Sequence, residues 1–182
     1  MYGSRRFVFV LLLALVAAIP LAADAQSIRV TPVTRDEQVL VSFEMADAYT
    51  GTVREAVQSG LHTTFMYDVE LRRSAALWFD RLVASARVSV SVKFDNLTRR
   101  YQVTITQDGR VSETTLTEDE DVVRRAVASF QRLPLFETRT LEANGEYYVR
   151  VRARLRPRSN WSILPWEREG ALGSASFTFI PR

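Results

Sequence analysis

Between positions 146 and 157 apolar and charged residues alternate without a break. Tyr147, Val149, Val151, Ala153 and Leu155 fall on one parity, and Arg150, Arg152, Arg154 and Arg156 on the other. A two-residue period is that of a strand with one face buried. The same period recurs through Ile28 and Val30, then Val39, Val41, Phe43 and Met45, then Leu61, Thr63, Phe65, Tyr67, Val69 and Leu71. It returns in Val88, Val90, Val92 and Phe94, in Tyr101, Val103 and Ile105, and in Ala175, Phe177 and Phe179 near the carboxyl end. Turn-forming residues separate these runs: Asp36-Glu37, Asp95-Asn96, Asp108-Gly109 and Ala143-Asn144-Gly145. Residues 27–46 therefore read as a hairpin whose first strand, carrying Pro32, belongs at a sheet edge. Residues 87–116 read as a meander of three strands.

Helical spacing replaces alternation in two places. Thr52 and Glu55 form a capping-box pair before Val53, Ala56 and Val57, with Gly60 as the left-handed exit. Thr117, with Glu120 as its capping partner, opens a longer helix whose face is Val122, Val123, Ala126, Val127, Phe130 and Leu133 and which Pro134 ends. A short strand over 136–141 follows. Residues 74–84 admit a helix presenting Ala75, Trp78, Phe79 and Leu82, a curved strand, or an irregular cover over the sheet. Residues 158–173 lose all period around Trp161, Ile163, Leu164, Pro165 and Trp166, as a folded-back loop or an exposed apolar tip would. About nine short strands with helical connections predict a mainly β chain, a single two-sheet β-sandwich with at least two covering helices. The immunoglobulin-like arrangement is one form open to it, and a small β-barrel is the alternative.

The first residues follow a different logic. Arg5 and Arg6 precede an apolar run over 7–19, and Ala23-Asp24-Ala25 places small residues at the two cleavage-defining positions. That is the pattern of a secretion signal spanning 1–25, leaving one exported β-rich domain over 26–182. The run is shorter than the ~20 residues that cross a bilayer comfortably, with a retained amino-terminal anchor as the competing reading. The expected location is the periplasm. Removing 1–25 takes away two of the 24 basic residues and one of the 21 acidic ones, so the remainder carries 22 against 20, a formal charge of +2. So even a balance excludes a dedicated nucleic-acid binder, which concentrates positive charge on its phosphate contacts. The chain has no cysteine, so packing alone must hold the domain together, and thiol catalysis and thiolate metal sites are ruled out.

Little else in the chain points to chemistry. His62 is the sole histidine, on the outer parity of its strand, and no serine sits in a G-x-S-x-G elbow. Asp47, Asp68, Asp80, Asp95, Asp108 and Asp119 are scattered, there is no histidine cluster for zinc, and no glycine-rich phosphate loop follows a strand. No catalytic residue, cofactor or metal is therefore assigned. Asn96-Leu97-Thr98 and Asn160-Trp161-Ser162 match the glycosylation triplet, the first more simply a hairpin turn.

Two surfaces stand out. Arginines at alternate positions recur about every 6.7 Å along one side of a sheet, since each residue rises roughly 3.3 Å. Such a row needs neighbouring carboxylates, water or an anionic partner, and Asp68 and Glu70, on the outer parity of their strand, are the residues to face it. The row is either an ion-paired sheet face or a binding face. The stretch containing Trp161 and Trp166 packs internally, contacts a protein, or touches a membrane interface where nearby arginines meet phosphates. The candidate interaction surface is thus Arg150, Arg152, Arg154, Arg156, Trp161 and Trp166.

In order, the early strand leading into residues 52–60, the aromatic Leu77-Trp78-Phe79, the turn over 97–101, and Leu141 with Gly145-Glu146-Tyr147 before the arginine strand resemble the bacterial family catalogued as domain of unknown function 4390. The resemblance runs over residues 28–179 and implies an exported or membrane-associated bacterial protein with no assigned activity and no catalytic residues to carry over. Relatives with longer polar linkers near the carboxyl end put a shared use of the Trp161 stretch in doubt. The leading expectation is a non-enzymatic envelope protein that binds a protein partner through a sheet face or a loop end. The alternative is periplasmic binding of a lipid or other amphipathic ligand. A structural scaffold or an uncharacterised hydrolase comes third.

Overall fold

The computed structural model describes residues 28–74, 80–157 and 171–181, with side chains up to 154 in the second stretch. Nine strands and two helices are described, in the order β1 (Arg29–Arg35), β2 (Gln38–Glu44), α1 (Gly51–Gln58), β3 (Thr63–Arg73), β4 (Arg81–Asp95), β5 (Arg100–Gln107), β6 (Arg110–Thr117), α2 (Glu120–Ala128), β7 (Ser129–Glu137), β8 (Glu146–Pro157) and β9 (Leu172–Thr178). They form a three-stranded sheet, β1-β2-β7, and a six-stranded sheet, β6-β5-β4-β3-β8-β9. The described strands thus make the two layers of a β-sandwich with two covering helices, and neither sheet closes into a barrel.

Turn chemistry accounts for much of the order. Asp36 and Glu37 both take positive φ (50° and 60°), the two-residue turn that matches strand twist, and pair Arg35 with Gln38 across the β1–β2 hairpin. Asp108 and Gly109 (48° and 82°) do the same between β5 and β6, where Gln107 faces Arg110. Strands β3 to β6 form one antiparallel meander, and β8 then comes back to pair on the free side of β3, with β9 outside it. The arginine strand is therefore interior to the large sheet, so only its two faces are open to choice.

Among the described side chains the alternating apolar residues turn inward. Phe65, Tyr67, Val69 and Leu71 of β3, Val88, Val90 and Val92 of β4, Tyr147, Val149 and Val151 of β8, and Val39, Val41 and Phe43 of the small sheet are buried. Each such side chain contributes about 1.5 to 3 kcal/mol. Helices α1 and α2 add Val53 and Val57, and Val123 and Val127. Phe43, Tyr67 and Phe130 meet at ring separations of 4.5 to 5.1 Å, which joins the two layers and fills the space between them. The Tyr67 hydroxyl donates to the Val127 carbonyl, tying α2 to the large sheet.

Several local expectations need correction. The cap of α1 is Thr50, whose Oγ1 accepts from the Val53 backbone N–H at 3.5 Å, and not Thr52 with Glu55. Gly60 does supply the left-handed exit, at φ 87°. Asp119 caps α2 by accepting from the Asp121 N–H at 2.8 Å, whereas Thr117 accepts from the Asp119 N–H just ahead of the helix. That helix ends at Ala128, and Phe130, Leu133 and Pro134 lie in β7, an edge strand paired with β2, so the short strand expected over 136–141 begins earlier and stops at Glu137, where Thr138–Thr140 make a 3-10 turn. A bulge hides the strand period there. Arg132 takes φ 51°, its N–H donates to Ser42 Oγ at 3.0 Å, and the register shifts between Val41 and Phe43. Pro134 is tolerated because β7 is at the sheet edge. Residues 81–84 are the start of β4, not helix, whereas Trp78 and Phe79 lie outside the described residues. The expected signal over 1–25 and the Trp161 and Trp166 stretch lie outside them as well. Among the described residues no helix is long and apolar enough to cross a membrane.

Candidate interaction face on the large sheet

Because β8 buries Tyr147, Val149, Val151 and Ala153, its other parity must point away from the core. Tyr148, Arg150, Arg152 and Arg154 accordingly stand on the outer face. Register sets their neighbours. Glu70 lies opposite Arg150, Asp68 opposite Arg152, Met66 opposite Arg154 and Thr64 opposite Arg156. The expected juxtaposition of Asp68 and Glu70 with the arginine row is therefore present. Arg156 is placed only by this register, and Trp161 and Trp166 lie outside the described residues.

Strand β4 brings a second set of charges. Asp68 faces Arg87 on β4 as it faces Arg152 on β8, so one row across the sheet reads Arg87, Asp68, Arg152 and, on β9, Leu172. At the far end of the row Asp108 Oδ1 accepts from the Arg87 backbone N–H at 2.7 Å. Arg87, Asp68, Arg152 and Asp108, with Glu70, Arg150 and Arg154 and the hydroxyl-bearing Ser85, Ser89 and Thr106, line a groove of about 750 Å³ on the outer face, with Leu82 in its lining and Leu172 just outside it. Its volume is that of a small-ligand site, but its walls are as polar as they are apolar, with seven ionisable side chains, where such sites are mostly apolar.

The ion pairs are unequal. Glu70 Oε2 accepts from Arg150 Nη2 at 2.6 Å and from Arg72 Nη1 at 3.0 Å. Burial by itself would raise the Glu70 carboxyl, but the hydrogen bonds and charges of Arg150 and Arg72 together outweigh it and hold the group below the usual carboxylate range. Asp68 is shared: Arg87 Nε donates to Oδ1 at 2.8 Å, and Arg154 Nε lies 3.5 Å from Oδ2. Arg152, half-buried in the middle of the row, makes no ion pair among the described residues. Among the described residues the groove lining holds four guanidinium groups, Arg87, Arg150, Arg152 and Arg154, against three carboxylates, Asp68, Glu70 and Asp108. One positive charge is in excess, and Arg152 carries it.

A model of the family described as "Domain of unknown function (DUF4390)" matches residues 22–159, more than half of the chain. The chain belongs to the DUF4390 family. The match ends just after β8, so within this DUF4390 domain it covers the arginine strand and leaves out β9, short of the expected reach to residue 179. Comparison with curated proteins and with solved structures found no match.

Reasoning from residues missed Arg87, Asp108, Ser85, Ser89 and Thr106 as parts of the same groove. The usable signal was parity: Arg87, Ser89 and Ser91 alternate with buried Val88 and Val90, which puts them on the outer face with Asp68. What no pattern supplied is the register of β4 against β3, which a bulge between Leu71 and Arg72 shifts by one residue. His62 is half-buried just ahead of β3 and has no hydrogen-bonded carboxylate among the described residues. No cluster of three His, Asp or Glu side chains suited to a metal ion occurs among the described residues.

Proposed function

We propose that this DUF4390 domain is a non-enzymatic protein of the bacterial envelope, exported to the periplasm, that binds a protein partner through the outer face of its six-stranded sheet. The observation that carries the reading is the groove beside β8, where Arg152 makes no ion pair among the described residues while Asp68 and Glu70 are engaged by other arginines. Arginine held on a rigid strand binds with little further loss of freedom, and arginine is enriched where protein interfaces concentrate their energy. The same electrostatics weigh against an acid catalyst at this site. A general acid needs a raised carboxyl, and Glu70 is held low by its two arginines. Binding of an amphipathic ligand between the layers would need an apolar pocket, and the Phe43, Tyr67 and Phe130 rings fill that region instead.

The test is in-cell crosslinking with mass spectrometry on the native protein, compared with a variant in which Arg150, Arg152 and Arg154 are all changed to glutamine. The expected result is a reproducible protein crosslinked near β8 in the parent and lost in the variant, with the fold retained by circular dichroism. An unchanged set of partners, or a co-purified amphipathic molecule in their place, would defeat the reading.

A further inference from the structure

The excess charge at Arg152 allows the partner's chemistry to be narrowed, and this step rests on the sheet-face reading above. We infer that Arg152 is the anchor for a single carboxylate, an Asp or Glu side chain of the partner, with an aliphatic residue beside it. The described residues of the groove set four guanidinium groups against three carboxylates, so one monoanion neutralises them. A phosphate dianion would bring a second negative charge next to Asp68, which stands directly opposite Arg152 in the register. The planar guanidinium fork matches the two oxygens of a carboxylate, and Arg152 has that fork free among the described residues, whereas Arg150 is bound to Glu70.

The flank of Arg152 is apolar. Leu172 occupies the matching register position on β9 and is 49 % exposed, and Leu82, 48 % exposed, is in the groove lining. An aliphatic residue of the partner set on Leu172 would exclude water from the Arg152 carboxylate pair and strengthen it. A membrane surface fits less well. Asp68, Glu70 and Asp108 are interleaved with the arginines inside a groove, and a dense anionic headgroup layer would meet those carboxylates together with the cations.

The test follows the arginine side-chain Nε–H signals of the protein by NMR during titration with a blocked peptide Val-Val-Glu-Val-Val. The expected result is a saturable shift centred on Arg152, with affinity reduced about tenfold in Arg152→Gln, as loss of one charge-assisted hydrogen bond requires. A peptide with Gln for Glu should show the same reduction. Arg152→Gln removes no described ion pair and should keep the parent's thermal midpoint. Arg152→Lys, which keeps the charge and loses the fork, should recover part of the affinity. Shifts spread equally over Arg87, Arg150 and Arg154 would overturn the anchor, and so would tighter binding of inorganic phosphate or of phosphatidylglycerol vesicles than of the peptide. In-cell crosslinking of Arg152→Gln separates this inference from the reading beneath it. A partner kept by that variant but lost when Arg150 and Arg154 are also changed overturns the anchor alone. A partner kept by both variants overturns the sheet-face reading as well.

Discussion

Of the described glycines, Gly173 leaves the least room for a side chain, against the chain at the start of β1. It lies on β9, and a Cβ built on it would come within 2.0 Å of the Ile28 carbonyl oxygen and 2.8 Å of the Ile28 Cβ. Ordinary contact begins near 3.4 Å, so Gly173→Ala forces one backbone away from the other by more than an ångström. Neither side is free to yield. β9 is hydrogen-bonded to β8, and the Ile28 N–H reaches the Leu172 carbonyl at 3.5 Å. Overpacking at a site of this kind costs about 3 kcal/mol. For a domain of this size, each kcal/mol lowers the thermal midpoint by about 2 to 4 °C, giving a fall of roughly 6 to 12 °C. Two other glycines calibrate the series. Gly109→Ala meets nothing within 4 Å, and pays only for its positive φ of 82°, about 1 to 2 kcal/mol. Gly51→Ala meets nothing and sits at the start of α1, so it should be neutral or slightly stabilising. Thermal unfolding followed by circular dichroism reads all three. A Gly173→Ala midpoint equal to the parent's would refute the closure of the small sheet onto the large one at β1 and β9.

Two further outcomes follow from the ion pairs and the core. Glu70 has a lowered carboxyl in the fold, so the stability it contributes is present above the unfolded carboxylate pKa of about 4.3 and is lost as pH falls through the lower folded value. Urea midpoints should therefore show Glu70→Gln less stable than the parent at pH 7, by about 1 kcal/mol after solvent screening, with the gap closing on acidification. A constant gap would contradict the pairing with Arg150 and Arg72. Tyr67→Phe removes a buried hydroxyl from the Val127 carbonyl and is expected to cost about 1 to 2 kcal/mol in the same assay, whereas an unaffected midpoint would mean that α2 is not tied to β3 in this way.

The parts of the fold legible in the sequence were those with an uninterrupted period. The arginine strand, β3 and β5 kept clean alternation because each turns one face to the core, and hairpin turns such as Asp108-Gly109 carry their own chemistry. β7 was not legible because its bulge at Arg132 breaks the two-residue period, leaving Phe130 and Leu133 at a spacing a helix also uses. The caps slipped for a related reason. Thr50 and Thr52 are both plausible starts, and the choice is made by how Val53 and Val57 meet the core, which is a tertiary matter. For the candidate site, β8 and the acids on β3 could be matched by parity alone. Arg87 could not, because it reaches the groove on β4, whose register depends on a bulge and on a connection with no period, nor could Asp108, which reaches it from the β5–β6 turn by accepting from the Arg87 backbone.

The central claim is that the outer face of the six-stranded sheet, and not the opposite side of the molecule, meets a protein partner. The most direct measurement places a photo-crosslinking amino acid at Ser89, in the groove, and in a second version at Thr31, exposed on the far sheet, and irradiates cells producing each. The account expects a discrete protein adduct from Ser89 that Arg152→Gln weakens several-fold, and none of that mass from Thr31. The same adduct from both positions, or only lipid adducts from Ser89, would contradict it.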